Sequence, residues 1–219
     1  MLPDNDMTKA THQMNTWSGD FGKEYTKRNA LSCEETDALY VKNFGVTRTA
    51  MNTKFLGMLP HGMRILEVGA NVGNQLLCLQ KMGFTNLTGI ELQEHAVVLA
   101  KERTNGIHII QGTAFDVPFK DGSFDLVFTS GVLIHISPKD IGVALKEIHR
   151  CAKTYIWGFE YFAKNYTQVE YRGNKDLLWK ADFAKLYLDR WSDLRLLLEQ
   201  RFNYTDSENE DTMFLLKKS

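Results

Sequence analysis

The sequence predicts an α/β protein whose strands form a mostly parallel, doubly wound sheet finished by an antiparallel hairpin. Three observations carry that expectation. Between Met63 and Gly158 short apolar runs alternate with helical stretches; past that point the alternation breaks down; and near the C-terminus two strand-like segments flank an acidic loop. The 219 residues suffice for one domain with a substantial core and fall short of two.

Five runs read as strands, over 64–69, 87–91, 106–111, 124–129 and 154–158. Helices expected near 74–82, 94–104 and 138–152 make the connections right-handed crossovers between parallel strands. Upstream, the polar residues 1–19 suggest a loosely ordered start, and 20–29 a short helix bearing Phe21, Tyr25 and Arg28. A longer helical stretch over 34–59 repeats apolar residues at Leu39, Val41, Phe44 and Val46, with Gly45 a point of interruption and Pro60 its end. Downstream, 174–188 reads as a helix, and 194–204 with 212–217 as a hairpin across the polar loop 204–211. The resulting seven-stranded chain divides into an N-terminal helical lid, 1–60, and a main domain, 61–219, within one structural unit.

Composition narrows the function classes. Lysine and arginine total 26 against 27 acidic residues, so a net charge of -1 gives no global attraction to nucleic acid. No apolar run approaches the roughly 20 residues that span a bilayer, and the first six residues lack the basic and apolar parts of a secretory signal. Cys33, Cys78 and Cys151 are scattered and odd in number, which argues against a disulfide framework and fits a reducing cytoplasm. His12, His61, His95, His108 and His149 show no metal spacing, and no metal is expected.

The chemistry concentrates at the ends of the predicted strands. The first ends in Glu67-Val-Gly69-Ala70-Asn71-Val-Gly73-Asn74 and opens a helix. In open α/β sheets ligands bind beyond such carboxyl ends, where the strand order reverses, and Gly69 and Gly73 would let backbone approach a ligand. A dinucleotide turn needs G-x-G-x-x-G, whereas Asn71 and Asn74 replace its later glycines, so a pyrophosphate fits poorly. Glu91, followed by Leu92, ends the second strand about 20 residues on, where a carboxylate accepts both hydroxyls of a ribose. Gly112-Thr113-Ala114-Phe115 follows the third strand, and Ser130-Gly131-Val132 the fourth.

These four ordered signals resemble the class I S-adenosylmethionine-dependent methyltransferases, a Rossmann-like fold. The resemblance implies S-adenosylmethionine as cofactor, adenine beside 112–115 and methyl transfer at the mouth after the fourth strand. Thr113 stands where many members have an aspartate for the adenine amino group. The segments 17–29, 131–136 and 171–180 further resemble the pseudaminic-acid-biosynthesis-associated methyltransferases, which implies a sugar-like small-molecule acceptor from a bacterial glycan pathway. Ala181-Asp-Phe183 departs from the basic-acidic-aromatic residues that many relatives carry there.

Catalytic candidates are His135, a base whose ordinary pKa of about 6.5 lies near cellular pH, and Tyr25. Tyr25 and Arg28 share a helix face and would meet the methionine carboxylate of the cofactor. Acceptor candidates are Glu160 and Tyr161 after the fifth strand, with Tyr171, Arg172, Trp179 and Lys180, Trp179 stacking on a sugar face and Lys180 meeting a carboxylate. Two alternatives stand beside this reading. A nucleic-acid methyltransferase is opposed by the absence of an N-P-P-Y type signature and of a basic stripe, and a binding protein that keeps the cofactor without turnover would retain the same Gly69, Gly73 and Glu91.

Overall fold

The computed structural model describes residues 10–219. The expected loose start falls mainly on residues 1–9, outside the described residues. Past them the chain is already helical in α1 (His12–Ser18), because the Thr11 side chain accepts the Met14 amide proton (3.1 Å) and caps it. α2 (Asp20–Arg28) follows directly. The expected helix over 34–59 is two helices, α3 (Cys33–Phe44) and α4 (Arg48–Leu56). Ser32 and Glu35 form a capping box at the start of α3, Gly45 closes it, and Thr47 starts α4 by accepting from the Ala50 amide (3.0 Å).

The repeat then runs β1 (Arg64–Val68), α5 (Asn74–Lys81), β2 (Asn86–Glu91), α6 (Glu94–Arg103), β3 (Ile107–Gln111), β4 (Phe124–Ser130), α7 (Ile141–Cys151) and β5 (Ala152–Tyr161). A small hairpin, β6 (Thr167–Tyr171) and β7 (Asn174–Lys180), and a short helix α8 (Phe183–Leu188) precede β8 (Leu194–Asn203) and β9 (Glu210–Lys218). The main sheet has seven strands in the order β3-β2-β1-β4-β5-β9-β8. β1 to β5 pair in parallel, and β9 inserts antiparallel between β5 and β8.

Alternation along the strands splits the core into two layers. Leu66, Val68 and Val127 face α7 and α8, meeting Ile141, Leu145 and Tyr187; Ile65, Leu126 and Phe128 face the other way, toward Met51 and Phe55 of α4 and Leu76 and Leu79 of α5. Each fully buried leucine contributes about 2 kcal/mol. No helix among the described residues is long and apolar enough to cross a membrane.

The helix expected over 174–188 is the main correction. Only 183–188 is helical, and 174–180 is the second strand of a hairpin with Tyr171 opposite Asn174. Arg172 and Gly173 both take positive φ (50° and 75°), the two-residue turn whose twist matches paired strands. The run Leu177-Leu178-Trp179 carries good helix formers, and tertiary packing overrides that local preference: all three side chains are buried.

Candidate functional site

The strand order reverses between β1 and β4, and a cavity of about 360 Å³ opens above their carboxyl ends. Its floor is the turn after β1. The Gly69 and Ala70 amides both donate to the Ile90 carbonyl (2.9 Å each), which lashes the turn to β2. Asn71, at φ 47°, donates its amide to Glu91 Oε2 (2.8 Å) and its side-chain nitrogen to Thr26 Oγ1 of α2 (3.0 Å). Glu91 Oε1 takes the Gln93 amide (2.9 Å), so the carboxylate is held from both sides and keeps one acceptor position on each oxygen. Burial raises its pKa against the opposing pull of these amides.

Fourteen of the cofactor candidates line this cavity: Glu67, Gly69, Ala70, Asn71 and Asn74 from the first turn, Glu91 and Leu92 from the second, Gly112, Thr113, Ala114 and Phe115 from the third, and Ser130, Gly131 and Val132 from the fourth. Gly73 and Arg28 do not. Gly73, at φ 79°, turns the chain into α5, and a Cβ there would meet Ile109 and Thr104 rather than the cavity. Gly69 has a second reason to be glycine beyond ligand access: a Cβ would lie 2.6 Å from Val132 Cγ2. The Thr113 hydroxyl accepts the Phe115 amide (3.2 Å), so it is occupied in shaping its own turn. Arg28 is exposed on the last turn of α2.

Both catalytic candidates line the cavity. His135 packs against Trp17 (ring centroids 4.4 Å) and places Nδ1 2.7 Å from the Leu177 carbonyl. A carbonyl only accepts, so Nδ1 carries the proton and Nε2 is bare. Burial lowers the pKa to about 4, which corrects the expectation of a base titrating near 6.5: His135 is neutral and weakly basic at cellular pH. Tyr25 sits edge-on to Trp17 (5.2 Å), and burial pushes its phenol well above the usual range, so it stays protonated.

None of the six acceptor candidates lines the cavity. Glu160 is buried beneath the mouth and accepts the Val132 and Ile134 amides (3.2 and 3.4 Å), holding the 130–134 loop; burial raises its pKa to about 7. Tyr161 stacks on Tyr204 (5.6 Å), and Lys180 lies over Tyr161 while bonded to Asn209. Tyr171 packs on Phe21 and His135, Arg172 is at an exposed turn, and Trp179 is 4% exposed in the core, with no face free for a sugar.

Sequence reasoning missed several lining residues. Gln13 and Trp17 come from α1, Gln75 from the first turn of α5, Tyr40 and Phe44 from α3, and Tyr204 and Asp211 from the terminal hairpin. Gln75 was findable from its place after the glycine turn. Behind them lies Arg48, fully buried, donating to Asn52 Oδ1 (2.8 Å), Tyr40 Oη (2.8 Å) and Ser130 Oγ (3.2 Å).

The buried polar atoms test the cofactor expectation. Glu67 Oε2 and Gln75 Oε1 are acceptors without partners and line the same cavity, which suits an ammonium; Glu91 suits vicinal hydroxyls. This set of acceptors therefore fits an amino-acid-bearing nucleoside. Comparison with known proteins agrees: a family model described as a methyltransferase domain matches residues 66–155. Residues 66–155 are thus similar to a methyltransferase domain. The chain is similar to demethylmenaquinone methyltransferase of Staphylococcus aureus (strain MRSA252), 37% identical over 97 residues, which is 42% of this chain and 39% of that one. The chain thus spans about two fifths of the curated relative it matches. Among solved structures, Burkholderia thailandensis 1,6-didemethyltoxoflavin-N1-methyltransferase with bound 1,6-didemethyltoxoflavin and S-adenosylhomocysteine shares the fold, with TM-score 0.70, 16% identity, and coverage of 96% of this chain and 91% of that one. The cyclase SpnF is similar too, with TM-score 0.63, 16% identity, and coverage of 86% and 83%.

Proposed function

We propose that the chain transfers a methyl group from S-adenosylmethionine to an oxygen or nitrogen of a small molecule. The observation that carries this is one cavity joining the Glu91 carboxylate, the unpartnered Glu67 oxygen and the Ser130–Val132 loop to an aromatic-walled end beyond them. The cofactor, when bound, supplies an electrophilic methyl on a sulfonium. Glu91 would hold the ribose hydroxyls, Glu67 and Gln75 the ammonium, and 112–115 would flank the adenine through backbone and apolar contacts. Glu160 keeps the 130–134 loop in place, so alignment of the reacting atoms rests on it indirectly. Neutral His135, with Nε2 bare, is the group available to take the acceptor's proton.

The lid reading of residues 1–60 is supported by Trp17 and Tyr25 on the cavity wall and by Asn74 Nδ2 donating to the Asn29 carbonyl (2.5 Å). Three buried free thiols support a reducing, cytoplasmic setting. A sugar or sugar derivative is the acceptor implied by the resemblance of segments 17–29, 131–136 and 171–180, although the acceptor candidates of 171–180 do not line the cavity. A flat unsaturated ring is a second reading, favoured by Tyr40, Phe44 and Tyr204 lining the cavity and by the acceptors named for the Staphylococcus and Burkholderia proteins.

The test is calorimetry with S-adenosylhomocysteine, followed by a methyl-release assay over amino sugars, nonulosonic acids, hydroquinones and pyrimidine-type heterocycles. The proposal expects cofactor binding and turnover on one class. Absence of cofactor binding, or binding with release on none of these classes, overturns methyl transfer to such acceptors.

A further inference from the structure

At the end of the cavity away from Glu91, α3 and the terminal hairpin meet. The Thr205 amide donates to the Asn43 carbonyl (2.8 Å) and its hydroxyl to the Lys42 carbonyl (2.6 Å), which fastens the 204–209 loop to the end of α3. The rings of Phe44 and Tyr204 lie 4.5 Å apart between centroids, and Tyr40 lies 5.3 Å from Phe44, making a joined aromatic wall. Set into it is Asp211, near the start of β9 and only 6% exposed. The Tyr204 hydroxyl donates to its Oδ2 (3.3 Å), whereas Oδ1 is buried without any partner although the residue lines the cavity.

A buried carboxylate oxygen with an empty acceptor position is costly unless a donor arrives. Arg48, the nearby buried cation, spends its hydrogen bonds on Asn52, Tyr40 and Ser130 and makes none to Asp211. Lys180 is engaged by Asn209. The donor missing at Oδ1 is therefore not supplied by the protein. Flat apolar walls beside a single acceptor define the missing ligand's chemistry: a planar ring with one O–H or N–H at its edge.

We propose that Asp211 anchors the methyl acceptor, receiving on Oδ1 a hydrogen bond from the O–H or N–H of a planar aromatic molecule whose ring lies against Tyr40, Phe44 and Tyr204. This rests on the methyl-transfer reading of the same cavity and specifies its acceptor end. Asp211 touches substrate in this assignment and has no part in holding the cofactor.

The experiment measures binding of 1-naphthol and of its ether 1-methoxynaphthalene to the full chain saturated with S-adenosylhomocysteine. The expected result is at least tenfold tighter binding of the naphthol. Asp211→Ala brings the two within about twofold while the affinity for S-adenosylhomocysteine is unchanged. Asp211→Leu, close to isosteric and apolar, gives the same readout if the alanine variant fails to fold. Equal binding of naphthol and ether, no binding of either, or full discrimination retained in the variants overturns the proposal while leaving the cofactor reading intact. Failure of S-adenosylhomocysteine to bind the parent chain overturns the cofactor reading and this proposal together.

Discussion

Replacing Glu91 with glutamine tests the contact proposed here for the ribose of the cofactor. Its two oxygens accept the Asn71 amide at 2.8 Å and the Gln93 amide at 2.9 Å, and each keeps one position for a ribose hydroxyl. A glutamine side chain offers one oxygen. Its NH2 must face one of the two backbone donors, so that hydrogen bond is lost and one hydroxyl loses its acceptor. The remaining hydroxyl bonds to a neutral group in place of a charged one. Hydrogen bonds to charged groups contribute about 1.5–3 kcal/mol, so the loss sums to about 3 kcal/mol. That is roughly a hundredfold in Kd, read by titration calorimetry with S-adenosylhomocysteine. A Kd within about threefold of the parent, with the melting temperature unchanged, would refute the assignment of this carboxylate to the ribose.

Four further outcomes follow from the geometry. Gly69→Ala forces a Cβ to 2.6 Å from Val132 Cγ2 at φ 81°; a loss of about 2 kcal/mol in urea unfolding and weakened cofactor binding are expected. Arg48→Met strips three buried hydrogen bonds and the cation nearest Glu67, costing about 3 kcal/mol of stability by the same measurement. Burial raises Glu160 from its ordinary 4.5 to about 7, so the folded state binds more protons than the unfolded between those values and stability falls as pH rises through them. Glu160→Gln should accordingly gain on the parent between pH 4.5 and 7, and a difference that is flat with pH would contradict the shift. For His135 the folded pKa of about 4 places the acid limb of the rate profile near 4 rather than near 6.5 if it takes the proton, and His135→Gln removes that limb.

Local pattern carried much of this molecule. The five parallel strands follow from apolar runs whose alternation with helices leaves few ways to bury both faces, and the seven-stranded order follows once the terminal hairpin is paired beside β5. The convergence of the candidate cofactor residues on one cavity was equally legible, because the turn after β1, the acid ending β2 and the loops after β3 and β4 each lie within a few residues of a strand end, where chain order dictates position.

The acceptor end was decided only by tertiary structure. Trp179 carries the ring and charge-neighbour expected of a sugar site, yet the positive-φ turn at Arg172-Gly173 folds it into a strand that buries it. Asp211 belongs to a polar stretch that reads as a connecting loop, and it reaches the cavity because β9 runs antiparallel beside β5, setting it opposite Tyr161. Arg48 gives no sign in its own helix of lying beneath Ser130, 82 positions away. Periodicity and strand-end motifs report what each segment does alone, so the sequence determined the sheet and the strand-end turns that floor the cavity. Which face of α3 meets which end of β9 depends on long-range packing, and that contact shapes the aromatic wall proposed here for the acceptor.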